Sequence, residues 1–264
     1  MEKKIAITFD FSTVSKNAVQ YALESSEDID ILEIIHVDNS LVNSNDEATL
    51  KEKIKNDLCE YLSVESLPNN ISIHVLHGKI INTLSKYIKE KLYDYVIVGS
   101  RDKYNILERW IGTVSLGLVK TLDVPILLIP RFSKYNKYKK VVVASDHHLN
   151  HKALLYQIRI WNKPYNAFIK FVHVKESNND NYDNESKTIV KELFENDPVS
   201  FGFEVSTLKS KNISESLLSN AYNAQADAMI IISKNSSFMN ALLFKSISKE
   251  MIEKSSIPVL FLHV

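Results

Sequence analysis

A handful of positions in the first half of this 264-residue chain could meet a phosphorylated ligand. Gly112 and Thr113 stand just before Val114, Leu118 and Leu122, which fall on one face of a helix. A helix start presents free backbone N–H groups and a partial positive charge, and both attract anions. Gly99 ends the strand-like run YVIVG, where a missing side chain lets the backbone approach a ligand. Asp10 ends the run IAITFD, ahead of Phe11, Ser12 and an amphipathic segment. A structural account serves each equally well. Thr113 could be an N-cap with Gly112 in its turn, Asp10 a helix cap, and Gly99 a strand-end glycine.

Other constellations are weaker. Asp146, His147, His148 and His151 sit together in DHHLNH and could hold zinc. A polar turn with water-facing histidines is the alternative, and no second ligand group lies nearby in sequence. Ser12, Ser15, Thr113 and Ser115 lack a G-x-S-x-G elbow and an evident base partner. Neither a Walker A loop nor G-x-G-x-x-G occurs. His36 and His173 occupy matching places in two HV pairs and read as structural.

The elements that must position these residues are written twice. IAITFD (5–10) returns as VVVASD (141–146), EIIHVD (33–38) as KFVHVK (170–175), and VLHGKI (75–80) as TLKSKN (207–212). YDYVIVGS (93–100) returns as ADAMIIIS (226–233), and DVPILLIP (123–130) as SIPVLFLH (256–263). Ordered recurrence at an offset of 132 to 137 residues means a duplicated domain. The expected domains are 1–132 and 139–264, joined through 131–139. Strands are expected near 3–10, 30–37, 71–76, 94–99 and 125–129, then near 140–145, 168–174, 202–208, 227–232 and 258–263. Nearly continuous apolar runs such as VIV and ILLI suit parallel strands covered on both faces. Helical periods alternate with them, at Val14/Ala18/Ala22 and Ile81/Leu84/Ile88, and in the second copy near 150–161, 185–196, 213–225 and 246–255. The fold class is therefore α/β, with two tandem five-stranded parallel sheets. The polar stretches 39–50 and 175–187 read as mobile loops.

Bulk composition excludes several classes. Lys+Arg and Asp+Glu balance at 32 each, so no broad footprint for nucleic acid or anionic membrane exists. The cationic stretch 131–140 reads as a linker. Cys59 stands alone, which fits a reducing compartment. No apolar run reaches the ~20 residues of a bilayer span, and a strand beginning by Ile5 leaves no room for a signal peptide. A cytoplasmic protein is expected.

Two stretches carry a specific resemblance: ITFDFSTVSKNAVQYAL (7–23) and VIVGSRDKYNILERWIGTVS (96–115), the latter followed by VPILLIP. With HVD at 36–38 and LHG at 76–78, they resemble the universal stress protein family, as a tandem two-domain member. The resemblance implies a five-stranded parallel α/β domain, and some members bind ATP through the signature G-x2-G-x9-G-[ST]. Here that signature maps onto Gly99, Asp102 and Gly112-Thr113, with the spacing kept and the middle glycine replaced. The resemblance further implies that Thr8, Phe9 and Asp10 line an adenosine pocket, that Val37 and Val98 flank the base, and that Gly112, Thr113, Val114 and Ser115 serve the phosphates. The expected ligand is ATP or AMP. A carboxylate about 6 Å from a phosphate charge costs on the order of 3 kcal/mol at an effective dielectric near 20. Asp102 should therefore weaken binding, unless Arg101 and Lys103 offset it or Mg²⁺ bridges carboxylate and phosphate.

The second copy keeps Asp146 in the Asp10 place but carries Ser210, Ser233, Ser236 and Lys245 at the glycine positions, with Ser246 for Thr113. It reads as a non-binding partner. The family's edge strand implies that the halves pair through 125–130 and 258–263 as an internal pseudo-dimer, and leaves a further homodimer open. The functional expectation is a regulatory stress-response protein that binds an adenine nucleotide in its first half and orders loops 39–50 and 100–111. Catalysis is not expected beyond slow hydrolysis. The alternative is a nucleotide-independent interaction scaffold of the same fold.

Overall fold

The computed structural model describes residues 2–27, 29–39, 46–100, 111–144, 151–175, 198–233 and 238–263. The chain forms two compact units, one of Met1–Tyr135 with Ile252–Ser256 and one of Asn136–Met251 with Ile257–Val264.

In the first unit the order is β1 (Lys4–Phe9), α1 (Thr13–Ser25), β2 (Ile31–Asp38), α2 (Glu47–Leu62), β3 (Ile71–His77), α3 (Ile80–Lys91), β4 (Tyr95–Ser100), α4 (Ile111–Thr121) and β5 (Ile126–Pro130). The strands lie β3-β2-β1-β4-β5, all parallel. Chain order reverses between β1 and β4, so the connections after these two strands leave in opposite directions. That opens a crevice at their carboxyl ends.

Side-chain chemistry explains the layers. Ile5 and Ile7 of β1, Val96 and Ile97 of β4 and all of β5 are buried, as strands covered on both faces require. Helix α1 lays Val14, Ala18, Tyr21 and Ala22 inward. Buried Asn17 then donates from Nδ2 to the carbonyls of Pro130 (3.1 Å) and Ser133 (3.0 Å), tying α1 to the end of β5.

Two glycines are required by packing. A Cβ on Gly99 would stand 2.7 Å from Val14 Cγ1 and 2.9 Å from the Val14 carbonyl oxygen. A Cβ on Gly117 would meet Ile81 Cδ1 at 2.6 Å, where α3 and α4 touch. Gly99, expected at the end of a strand, is the penultimate residue of β4, where α1 rests on its bare backbone.

A polar network crosses one sheet face away from the crevice. Glu33 of β2 pairs with Lys4 of β1 at 3.0 Å and with His74 of β3 at 3.5 Å, and accepts the Tyr93 hydroxyl. Burial pushes the Glu33 carboxyl up, but the hydrogen bonds from Tyr93 and Lys4 and the Lys4 charge outweigh it, leaving it below its ordinary value. Burial, aided by Lys51, Lys91 and Lys4, holds the His74 imidazole down against the pull of Glu33.

The second unit repeats the plan: β6 (Lys140–Ala144), α5 (His151–Asn162), β7 (Phe168–Lys175), β8 (Phe203–Lys209), α6 (Ile213–Asn223), β9 (Ala228–Ser233), α7 (Phe238–Lys254) and β10 (Val259–His263). Its parallel order is β8-β7-β6-β9-β10. Strand register corrects one expectation. Gly99 stands opposite Ile129 in β5, and the matching residue opposite Leu262 in β10 is Ile232, not Ser233.

Two boundaries also differ. Residues 47–50, expected in a loop, form the first turn of α2, whose buried Leu50, Ile54 and Leu58 mark one helix face. Helix α7 starts eight residues before the expected 246, because FMNALLFK contains no breaker. Lys175, expected to open the loop 175–187, ends β7 instead; the rest of that loop and the expected helix at 185–196 lie outside the described residues.

Gly99→Ala should cost about 1–3 kcal/mol of stability by overpacking, measured by urea unfolding of the full chain. An unchanged midpoint would contradict the α1–β4 contact. Both Glu33 and His74 sit below their ordinary values, so each stabilises the fold above its unfolded value and loses that contribution as pH falls. Protection of the β1 and β2 amides from exchange should drop first below the ordinary histidine value of 6.5, then below the carboxylate value of 4.5. His74→Asn should remove the first step; an unaltered profile would refute its assignment.

Candidate functional site

The crevice between β1 and β4 is a cleft of about 130 Å³. Ile35 and Val37 from β2, Val98 from β4, Ile80 and Leu84 from α3 and Val114 from α4 make its apolar walls. Thr8, Asp10, Ser12, Ser15 and Ser115 supply the polar groups. Strand alternation explains the division. Thr8 pairs in register with Ile35, placing both on the face that α3 covers. Apolar walls with a few convergent polar groups suit a flat aromatic ligand carrying a polar appendage.

The mouth is built by one hydrogen-bonded turn. Ser12 is the N-cap of α1, its Oγ accepting from the Ser15 amide at 3.1 Å. Ser15 Oγ donates to the Ser12 carbonyl at 2.9 Å and accepts from the Asp10 amide at 3.3 Å. Asp10 Oδ1 accepts the Ser12 amide at 3.1 Å and the Ser12 hydroxyl. The exposed Asp10 carboxylate is thereby fixed at the cleft's rim. Ser115, almost wholly buried, donates to the Gly99 carbonyl at 3.4 Å, linking α4 to β4.

The residues singled out from sequence are placed as follows. Thr8, Phe9, Asp10, Val37, Val98, Gly99, Val114 and Ser115 all line the cleft. The Phe9 ring, however, packs edge-on against Phe11 at 5.1 Å. Gly112 and Thr113 lie in the first turn of α4, among the backbone N–H groups without intrahelical partners. Arg101 and Asp102 lie outside the described residues, as do Asp146, His147 and His148. His151 opens α5. Among the described residues no group of three His, Cys, Asp or Glu is gathered for a metal. His36 is structural: Nδ1–H donates to the Phe9 carbonyl at 2.9 Å. Among the described residues no helix is long and apolar enough to cross a membrane.

Sequence reasoning weighed Ser12 and Ser15 only as nucleophiles. Their spacing from Asp10, just ahead of an apolar helix, is the capping signal that identifies their work. Phe11 carried no sequence signal at all.

Residues 1–130 match the sequence profile of the universal stress protein family. No curated protein matches the chain in sequence. A universal stress protein from Archaeoglobus fulgidus is similar in structure over 98% of this chain and 98% of its own, at 16% identity and a TM-score of 0.73. A functionally unknown protein from Pseudomonas aeruginosa is similar over 99% of this chain and 92% of its own, at 12% identity and a TM-score of 0.60. At these identities the likeness establishes the fold. A universal stress protein family protein from Arabidopsis thaliana, solved with AMP bound, aligns with 49% of this chain and 91% of its own, at 21% identity and a TM-score of 0.34.

Ser12→Ala removes the α1 cap and an Asp10 partner together. It should cost about 1 kcal/mol in urea unfolding, with faster amide exchange at Ser15. An unchanged Ser15 exchange rate would contradict the capping turn.

Proposed function

We propose that the first unit, whose residues 1–130 match the universal stress protein family, binds an adenine nucleotide and serves as a regulatory, non-catalytic stress-response module. The observation carrying this reading is the cleft at the strand-order reversal, apolar in depth and polar at its rim. The base lies between Val37 and Val98, beside Thr8 and the Phe9 backbone. Asp10, held by Ser12, accepts a hydrogen bond from the ribose or the adenine amino group. The phosphates run toward the first turn of α4, where the amides of Gly112, Thr113 and Val114 meet them.

Chemistry sets limits on this ligand. Ser115 gives its hydroxyl to Gly99, so it contributes its backbone to the phosphates before its side chain. Asp102 places a negative charge in the signature, which disfavours each added phosphate, while Arg101 beside it offsets part of that cost. AMP should therefore bind at least as well as ATP in the absence of divalent cation. Mg²⁺ fits this scheme as a bridge between Asp102 and phosphate, which would favour ATP. The second unit serves as the structural companion.

Calorimetric titration of the full chain with AMP and with ATP, each with and without magnesium, tests the reading. One site per chain is expected. Gly112→Val should abolish the phosphate-dependent part of the affinity, because a side chain occupies the anion's place. Asp102→Gly should strengthen magnesium-free ATP binding by up to about a hundredfold. No heat with either nucleotide up to millimolar concentration would leave an interaction scaffold with the same fold.

A further inference from the structure

Phe11 stands between Asp10 and Ser12 with φ at +63°. This left-handed region is one that a bulky side chain enters only against a steric penalty. Such a conformation persists where its surroundings over-determine it, and it gathers at functional sites. Here the surroundings can be named. The Asp10 carboxylate accepts the Ser12 amide at 3.1 Å, closing the turn across Phe11. The Phe11 ring meets Phe9 and His36 edge-on, with centroids 5.1 Å away in each case. Lys53, reaching over from α2, sets its ammonium 5.0 Å from the ring centroid. His36 in turn holds the Phe9 carbonyl at 2.9 Å.

We propose that Phe11 is a positioning residue for the ligand site: its ring, gripped by His36 and Lys53, holds the left-handed turn that presents Asp10 and Ser12 at the rim of the cleft. The proposal rests on the nucleotide reading of that cleft. Its logic is one of residue choice. Glycine adopts this φ without penalty, so backbone geometry alone gives no reason for phenylalanine. What the ring adds is an anchor on β2 and α2. Edge-on aromatic contacts and a cation over a ring face are directional, so they restrain the turn's orientation as well as its existence. A consequence follows for α2. Through Lys53, a change in the helix's position shifts the grip on Phe11, and with it the rim carboxylate.

Phe11→Gly, Phe11→Ala and Lys53→Gln, each in the full chain, test this. Glycine keeps the turn without strain or ring; alanine keeps the strain without the ring. The AMP dissociation constant should rise about tenfold in both Phe11 variants and a few-fold in Lys53→Gln. The thermal midpoint should separate the two, with Phe11→Gly the more stable. A purely structural role would make affinity follow stability, so that Phe11→Gly bound AMP better than Phe11→Ala. That result would overturn the proposal, as would wild-type affinity within twofold in both variants, and neither would touch the nucleotide reading itself. If the wild-type chain bound no AMP, that reading would fall and ligand positioning with it. Amide exchange at Ser12 and Ser15 reports on the turn directly: unchanged exchange in Phe11→Ala would show that the ring grips nothing.

Discussion

The first unit is organised around one close approach. Helix α1 lies on strand β4 where Gly99 offers no side chain, and any Cβ there would collide with both the Val14 side chain and its carbonyl oxygen. This contact fixes how far α1 stands from the sheet. Its amino end carries Ser12 and Ser15, so the contact also fixes the rim of the cleft. The Gly99 carbonyl then takes the Ser115 hydroxyl, placing the first turn of α4 beside the same strand end. Asn17 fastens α1 to the last carbonyl of β5 and to that of Ser133 beyond it. One missing methyl group thus couples the three elements that meet around the crevice.

The duplicated half shows that the fold itself does not require this approach. Its strands follow the same order with the same parallel pairing, yet buried Ile232 stands where register places Gly99. A sheet can therefore keep its topology through burial of apolar strands with or without a glycine at this register. Topology is stabilised by many small contributions; a cleft of defined width hangs on one or two positions.

How legible each feature was in the sequence follows the same division. Strands such as ILLIP and VIVGS announce themselves by continuous apolar character, and α1 and α3 by their periods, because these signals are local and redundant. The start of α2 was hidden by a polar first turn, and the start of α7 by alignment to a shorter counterpart. The cleft residues Thr8, Val37 and Val98 were reachable only through family resemblance, since no local pattern says that three strands will converge there. Gly99 reads two ways in sequence, because a glycine facing a helix and one facing a phosphate look alike there. Phe11 was invisible: nothing in FDFS shows that an aromatic residue will sit at positive φ. The Glu33 network joins residues from three strands and a loop, and such long-range pairing leaves no trace in sequence spacing.

The central claim is that an adenine nucleotide occupies the cleft at the carboxyl ends of β1 and β4. Backbone amide NMR of the full chain during an AMP titration tests it most directly. The account predicts saturable shifts concentrated at Thr8, Asp10, Ser12, Val37, Val98 and Gly112 to Ser115, with the β6–β10 sheet silent. Shifts confined to the second unit, or saturation without movement at Asp10 and Val98, would contradict it.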